Sequence, residues 1–200
     1  MSSESANTIT AVLRWVVLFL PIAALAQEPP RFEFFGGYSL IHANIATDVP
    51  FASFSHVNAS GFNVAAEGYF NRWFGAVADF SAHFRDRPVS FNDPFSGQRV
   101  TANVNTHVYP LHFGPQIRFP SGRVTPFARV MFGLFRIGVR APTFSDTDND
   151  FSFLVGGGLD VRASRHLAIR LGQTDYIRSH LTPTAWQNNW RFSGGLVFAY

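Results

Sequence analysis

The chain has 200 residues, of which 46% are hydrophobic, 16% aromatic and only 14% charged, with a formal net charge of +3. That length suits one all-β domain, the hydrophobic share is too low for a bundle of membrane helices, and the small, scattered positive charge argues against a nucleic-acid partner. All 16 basic residues are Arg, and the absence of Cys excludes disulfides and thiolate metal sites.

Residues 1–26 read as a signal peptide. Arg14 gives a positive flank, residues 15–24 form a short apolar core, and Ala24-Leu25-Ala26 supplies an A-x-A cleavage site before Gln27. The apolar stretch is shorter than the roughly 20 residues needed to span a bilayer as a helix, and Pro21 interrupts it. Cleavage is therefore expected rather than anchoring, leaving an exported domain over residues 27–200.

Eight strand-like segments follow, at 32–42, 62–70, 74–84, 104–119, 124–139, 151–162, 167–176 and 189–200. The connections alternate in length. Those at 71–73, 120–123 and 163–166 are tight, whereas 43–61, 85–103, 140–150 and 177–188 are long. This rhythm suits a meander through a membrane, with short periplasmic turns and longer outer loops.

Within segments the period is two. In the last, Trp190, Phe192, Leu196, Phe198 and Tyr200 oppose Arg191, Ser193, Gly195 and Ala199. In the first, Phe32, Phe34, Tyr38 and Leu40 oppose Glu33, Gly37 and Ser39; in the third, Ala76, Ala78, Phe80 and Phe84 oppose Gly75, Asp79, Ser81 and His83. Alternation lets one face meet lipid and the other a polar lumen, but a soluble barrel shows the same period with the faces inverted.

The polar face favours the membrane reading. By parity it carries Glu33, Glu67, Asp79 and Asp160 against Arg118, Arg129, Arg170 and Arg191, too many charges for a dry soluble core. Buried charge must be paired, and the Arg fork bridges carboxylates, so these residues are expected to form an interior charge network that plugs the lumen. Arg170 and Asp175 have opposite parity, which puts a register slip at Gly172-Gln173. Aromatic residues at segment ends (Phe32, Trp73, Phe74, Phe84, Phe119, Trp190, Tyr200) suit interfacial girdles, although a soluble sandwich could use them as core.

The last residues are Ser193-Gly194-Gly195-Leu196-Val197-Phe198-Ala199-Tyr200. Ser193, Gly195, Phe198 and Tyr200 resemble, position by position, the C-terminal assembly signal of outer-membrane proteins. Further phrases, Phe34-Phe35-Gly36-Gly37-Tyr38-Ser39, Asn71-Arg72-Trp73-Phe74-Gly75, Phe113-Gly114-Pro115 and Gly156-Gly157-Gly158-Leu159-Asp160-Val161, extend the likeness over nearly the whole exported chain. They resemble the outer-membrane protein A-like β-barrel family. The resemblance implies an all-β, eight-stranded antiparallel up-and-down transmembrane β-barrel, both ends in the periplasm, inserted by the barrel-assembly machinery of a Gram-negative cell. The peptidoglycan-binding domain of the family's best-known member has no counterpart in this sequence, so cell-wall tethering does not carry over.

Candidate chemistry is thin. Ser55-His56 and Ser179-His180 are the nearest pairs for a lipid-modifying hydrolase, but neither has a framing motif, and adjacent residues on a strand face opposite ways. Asp146, Asp148 and Asp150 echo the start of a calcium loop, without its turn Gly or closing Glu; a solvated acidic loop is the plainer expectation. Gly156-Gly157-Gly158 lacks the following helix of a phosphate loop and suits relief of crowding in a narrow barrel.

The reading is an outer-membrane barrel, monomeric, with no catalytic residues, cofactor or metal. Its expected partners are outer-membrane lipids and lipopolysaccharide, and its role is structural or one of surface interaction through the outer loops. The alternatives are a small porin-like channel, a lipid-modifying enzyme and a soluble periplasmic binding barrel.

Overall fold

The computed structural model describes residues 31–43, 57–92, 99–141, 144–182 and 185–200. The signal peptide expected over residues 1–26 lies outside them, as do Ser55 and His56. Eight strands follow in order: β1 (Arg31–Ala43), β2 (Val57–Tyr69), β3 (Phe74–Asn92), β4 (Arg99–Arg118), β5 (Val124–Ala141), β6 (Phe144–Arg162), β7 (Leu167–Thr182) and β8 (Ala185–Ala199). Each pairs antiparallel with its neighbour, and β8 returns to β1 to close the barrel.

The tight turns lie together at one end, and local chemistry explains each. After β2, the Asn71 side-chain oxygen accepts the backbone N–H groups of Trp73 and Phe74, both at 2.8 Å. After β4, Ser121 and Val124 exchange backbone bonds of 2.9 and 3.0 Å, and Gly122 takes the left-handed φ of 60° that the turn requires. After β6, the N–H groups of Ala163 and Ser164 both donate to Leu167 O at 2.9 Å.

The opposite end differs from the sequence expectation. The long connections at 85–103, 140–150 and 177–188 are largely paired strand. Pairing continues from Arg85 with Thr106 to Asn92 with Arg99, on to Ala141 with Phe144, and to Thr182 with Ala185. Asp146, Asp148 and Asp150 therefore belong to strand β6, not to a loop. These stretches carry no regular hydrophobic–polar alternation in the sequence. Their ladders rest on backbone hydrogen bonds, which any side chain permits.

The faces are inverted relative to a water-soluble barrel. Phe32, Phe34, Tyr38, Leu40, Phe192, Leu196 and Phe198 point outward and are exposed, while Asp79, His83, His112 and Arg191 point inward with no exposure. The lumen also holds an apolar cluster that includes Ile41, Val108, Met131, Phe135, Leu154 and Ile177. Exposed aromatics gather in two belts. At the turn end Trp73 meets Phe119 edge-on at 6.1 Å; towards the other end Phe84 packs on Tyr109 at 6.0 Å and Tyr176 on Trp190 at 5.1 Å. Trp190 on β8 and Tyr200 just beyond its end mark the two belts. Ten residues at ~3.3 Å each, tilted by ~40°, separate them by ~25 Å along the axis, the height of an outer-membrane apolar band.

At the β1–β8 seam Gly37 stands opposite Gly195. A Cβ at Gly195 would overlap the Gly36 carbonyl oxygen and the Gly37 Cα, whereas one at Gly36 would meet nothing within 4 Å. Gly195→Ala should therefore destabilise the closed barrel by ~1–3 kcal/mol, the usual cost of overpacking, while Gly36→Ala should be near neutral. The fraction migrating as folded barrel on unboiled gels across a urea series checks both.

Candidate functional site: ion pairs across the lumen

Inward-facing charges of all eight strands meet in the lumen, in three tiers counted from the turn end. In the lowest, Arg118 on β4 bridges to Glu33 on β1 at 2.6 Å and stacks its guanidinium 3.5 Å from the Tyr69 ring centre. Its Nε donates to the carbonyl of Arg72 at 3.1 Å, tying the lumen to the first turn.

The second tier centres on Arg170 of β7. Its Nε and Nη2 donate to the two oxygens of Asp160 at 2.8 and 3.0 Å, and Nη2 also reaches Glu67 at 2.9 Å. The guanidinium lies between the rings of Phe35 and Phe127, 4.4 and 4.2 Å from their centres. Such a sandwich supplies cation–π attraction where water is absent. Glu67 completes its shell by accepting from the Tyr69 hydroxyl at 2.7 Å and the Gln116 amide at 2.8 Å.

The third tier is a closed ring of two Arg and two Asp. Arg129 bridges Asp79 at 3.1 Å and Asp175 at 2.9 Å; Arg191 bridges the same two at 2.8 and 2.9 Å. All four side chains have no solvent exposure. Asn63 donates to Asp79 at 3.1 Å, Gln173 to Asp175 at 2.8 Å, and Arg191 to the Ser81 hydroxyl at 2.7 Å. Gly156 provides the room: a Cβ there would overlap the Asp175 carboxylate.

The structure places all eight charges singled out by parity in or at the edge of the lumen and adds a fifth acid. Asp175 belongs with them because β7 carries a register shift between Arg170 and Gln173, at the position where the sequence puts a slip. Leu171 is pushed outward to 64% exposure, so Arg170 and Asp175 share the interior despite opposite parity. The count of four acids against four Arg is thereby corrected to five against four. Of the assembly-signal residues, Ser193 faces the lumen, bonded to Ser39 at 2.9 Å, and Gly195 lines the seam, while Phe198 and Tyr200 face outward.

Two lumenal histidines were not among the candidate site residues, although His83 falls on the polar face of its segment. His83 Nε2 is bonded to the Ser39 hydroxyl at 2.9 Å and His112 Nε2 to the Ser152 hydroxyl at 2.8 Å. Both are fully buried, and the Nδ1 atom of each lacks a hydrogen-bond partner. An acyl-transfer centre needs an acid to orient its His and a path for substrate, and neither pair has one. Ser179 points into the lumen, where it accepts from Asn189 at 3.1 Å. Its neighbour His180 has the opposite strand parity, so this pair is not assembled into a catalytic unit either.

Residues 14–198 match the family model described as outer membrane protein beta-barrel domain. No curated protein sequence matches. Among solved structures the chain is similar to Neisserial surface protein A, at 10% identity and a TM-score of 0.61, over 86% of this chain and 99% of that one. It is similar to OprG of Pseudomonas aeruginosa, at 9% identity and 0.56, over 86% and 97%. The attachment invasion locus protein Ail of Yersinia pestis is similar at 18% identity and 0.54, over 86% and 100%. At these identities the likeness is one of fold.

Breaking the ring of the third tier strands charge in a dry interior. Arg191→Met leaves two buried carboxylates sharing Arg129 and should cost ~3–5 kcal/mol. Arg136→Gln, an exposed residue on β5, should change stability by less than ~0.5 kcal/mol. Urea titration of both variants in phospholipid vesicles, followed by tryptophan fluorescence, checks the contrast.

Proposed function

Because the chain belongs to the outer membrane protein beta-barrel domain family, we propose that it is an integral outer-membrane barrel whose lumen is shut by its own ion pairs and whose work is done by the projecting outer hairpins. One observation carries this reading. The side chains of Asp79, Arg129, Asp175 and Arg191 have no exposure and cross-link β3, β5, β7 and β8 at one level. An eight-stranded lumen is just wide enough to be filled by side chains, and ions crossing a ring like this would have to break several charge-assisted bonds. A porin-like pore and a lipid-modifying enzyme are both disfavoured, the second because neither lumenal Ser–His pair has an orienting acid.

The hairpins offer the alternative to conduction. Strand β3 continues eight residues past the girdle residue Phe84 to Asn92, ~26 Å along the strand at ~3.3 Å per residue. Its partner β4 keeps pace from Arg99. Paired strands hold such a projection rigid, presenting side chains beyond lipopolysaccharide headgroups to whatever lies outside. Delivery follows from export behind a cleaved leader and from recognition of Ser193, Gly195, Phe198 and Tyr200 by the assembly machinery; the barrel then functions as a monomer.

Two measurements test this. In planar bilayers the folded protein should give no reproducible single-channel steps; regular steps would return the channel reading. On intact Gram-negative cells, a variant lacking residues 86–104 should keep its heat-dependent gel mobility and lose adhesion to host-matrix-coated surfaces relative to the full chain. Adhesion unchanged by the deletion would sink the hairpin role.

A further inference from the structure

The turn end carries charge of one sign. Arg72, Arg123, Arg162 and Arg165 are all exposed there, on the three short turns and the adjoining end of β6, and His166 joins them. Among the described residues that end has no exposed Asp or Glu, since Glu33 is engaged with Arg118 and Asp160 with Arg170. The opposite end is mixed, with Arg136 and Arg140 among Asp86 and Asp148.

Backbone bonds hold these turns together. The Arg162 N–H donates to the carbonyl of Arg123 at 2.8 Å, making two like charges neighbours, and the Arg118 N–H donates to the carbonyl of Trp73 at 2.8 Å. The Ala199 N–H donates to the His166 carbonyl at 3.0 Å, knitting the last turn to β8. Like charges side by side repel unless an anion lies between them, and a guanidinium presents two parallel N–H donors matched to phosphate oxygens. The positions also fix the depth. Arg72 lies over the Trp73 ring at 5.1 Å, and Trp73 meets Phe119 at 6.1 Å, both exposed members of the girdle. Guanidinium groups against girdle aromatics sit at the level of lipid headgroups.

We propose that the turn end is a preorganised site for the phosphate headgroups of anionic phospholipids in the periplasm-facing leaflet. Arg123 and Arg162 clasp one headgroup between two turns, and Arg72 and Arg165 extend the surface around the rim. This rests on the outer-membrane reading, and heat-dependent mobility in phosphatidylcholine vesicles tests that reading separately.

The experiment places the full barrel in nanodiscs of equal phosphatidylcholine and phosphatidylglycerol and counts retained lipids by native mass spectrometry. Phosphatidylglycerol should be retained in preference, and the preference should fall by up to roughly fivefold for each guanidinium removed. It should vanish in the variant carrying Arg72→Gln, Arg123→Gln, Arg162→Gln and Arg165→Gln. If that variant fails to insert, Arg123→Gln with Arg162→Gln decides: an undiminished preference overturns the proposal. So does equal retention of the two lipids by the unaltered barrel. Arg-dependent sedimentation with peptidoglycan sacculi, without lipid preference, would assign the surface to the cell wall instead.

Discussion

A backbone that crosses hydrocarbon finds no water for its N–H and C=O groups, so each must be bonded within the protein. Closing β8 onto β1 meets that demand by removing every edge, and the rest of the molecule adapts to it. The seam needs two backbones in close approach, hence Gly37 facing Gly195. Closure at eight strands leaves a lumen that side chains alone can fill. What fills it must be compatible with strands whose outward positions are committed to lipid.

The filling is ionic where an apolar one would have served for stability alone. Buried ion pairs often contribute little net free energy against a well-packed apolar core. Here they impose register. Arg170 joins Asp160 on the neighbouring strand to Glu67 on β2, far away in sequence, and Arg118 joins β4 to β1. A slip of one residue would turn any of these charges into lipid. The slip of β7 between Arg170 and Gln173 delivers Asp175 to Arg129 and Arg191 rather than losing it. The bulge is thus part of the network's construction, and Leu171, displaced outward, is an apolar residue suited to lipid.

The two ends of the barrel divide the remaining roles. At one, short turns tied by backbone bonds carry Arg beside girdle aromatics. At the other, the strands outrun the membrane and carry both signs of charge on hairpins that remain paired. Between them the lumen is filled by buried ion pairs. Under the proposed function, contact with either environment falls to the ends.

Much of this was legible in the sequence because a membrane barrel writes its contrast into adjacent residues. Phe32 against Glu33, or Phe192 against Arg191, reveals strand and face at once, and the tight connections at 71–73, 120–123 and 163–166 mark where strands reverse. Eight of the nine charges of the lumen fall on the polar face by parity. Parity fails where the ladder is irregular, so the side on which Asp175 lies required the tertiary register of β7. It is also silent in the stretches 85–103 and 140–150, which carry no regular hydrophobic–polar alternation although their backbones pair. Which acid each Arg takes and the stacking of Arg170 between Phe35 and Phe127 were decided by closure, and the approach of Arg123 to Arg162 by the register of β5 on β6. Sequence sets which face a side chain takes; only the closed barrel brings side chains from distant strands to the same height.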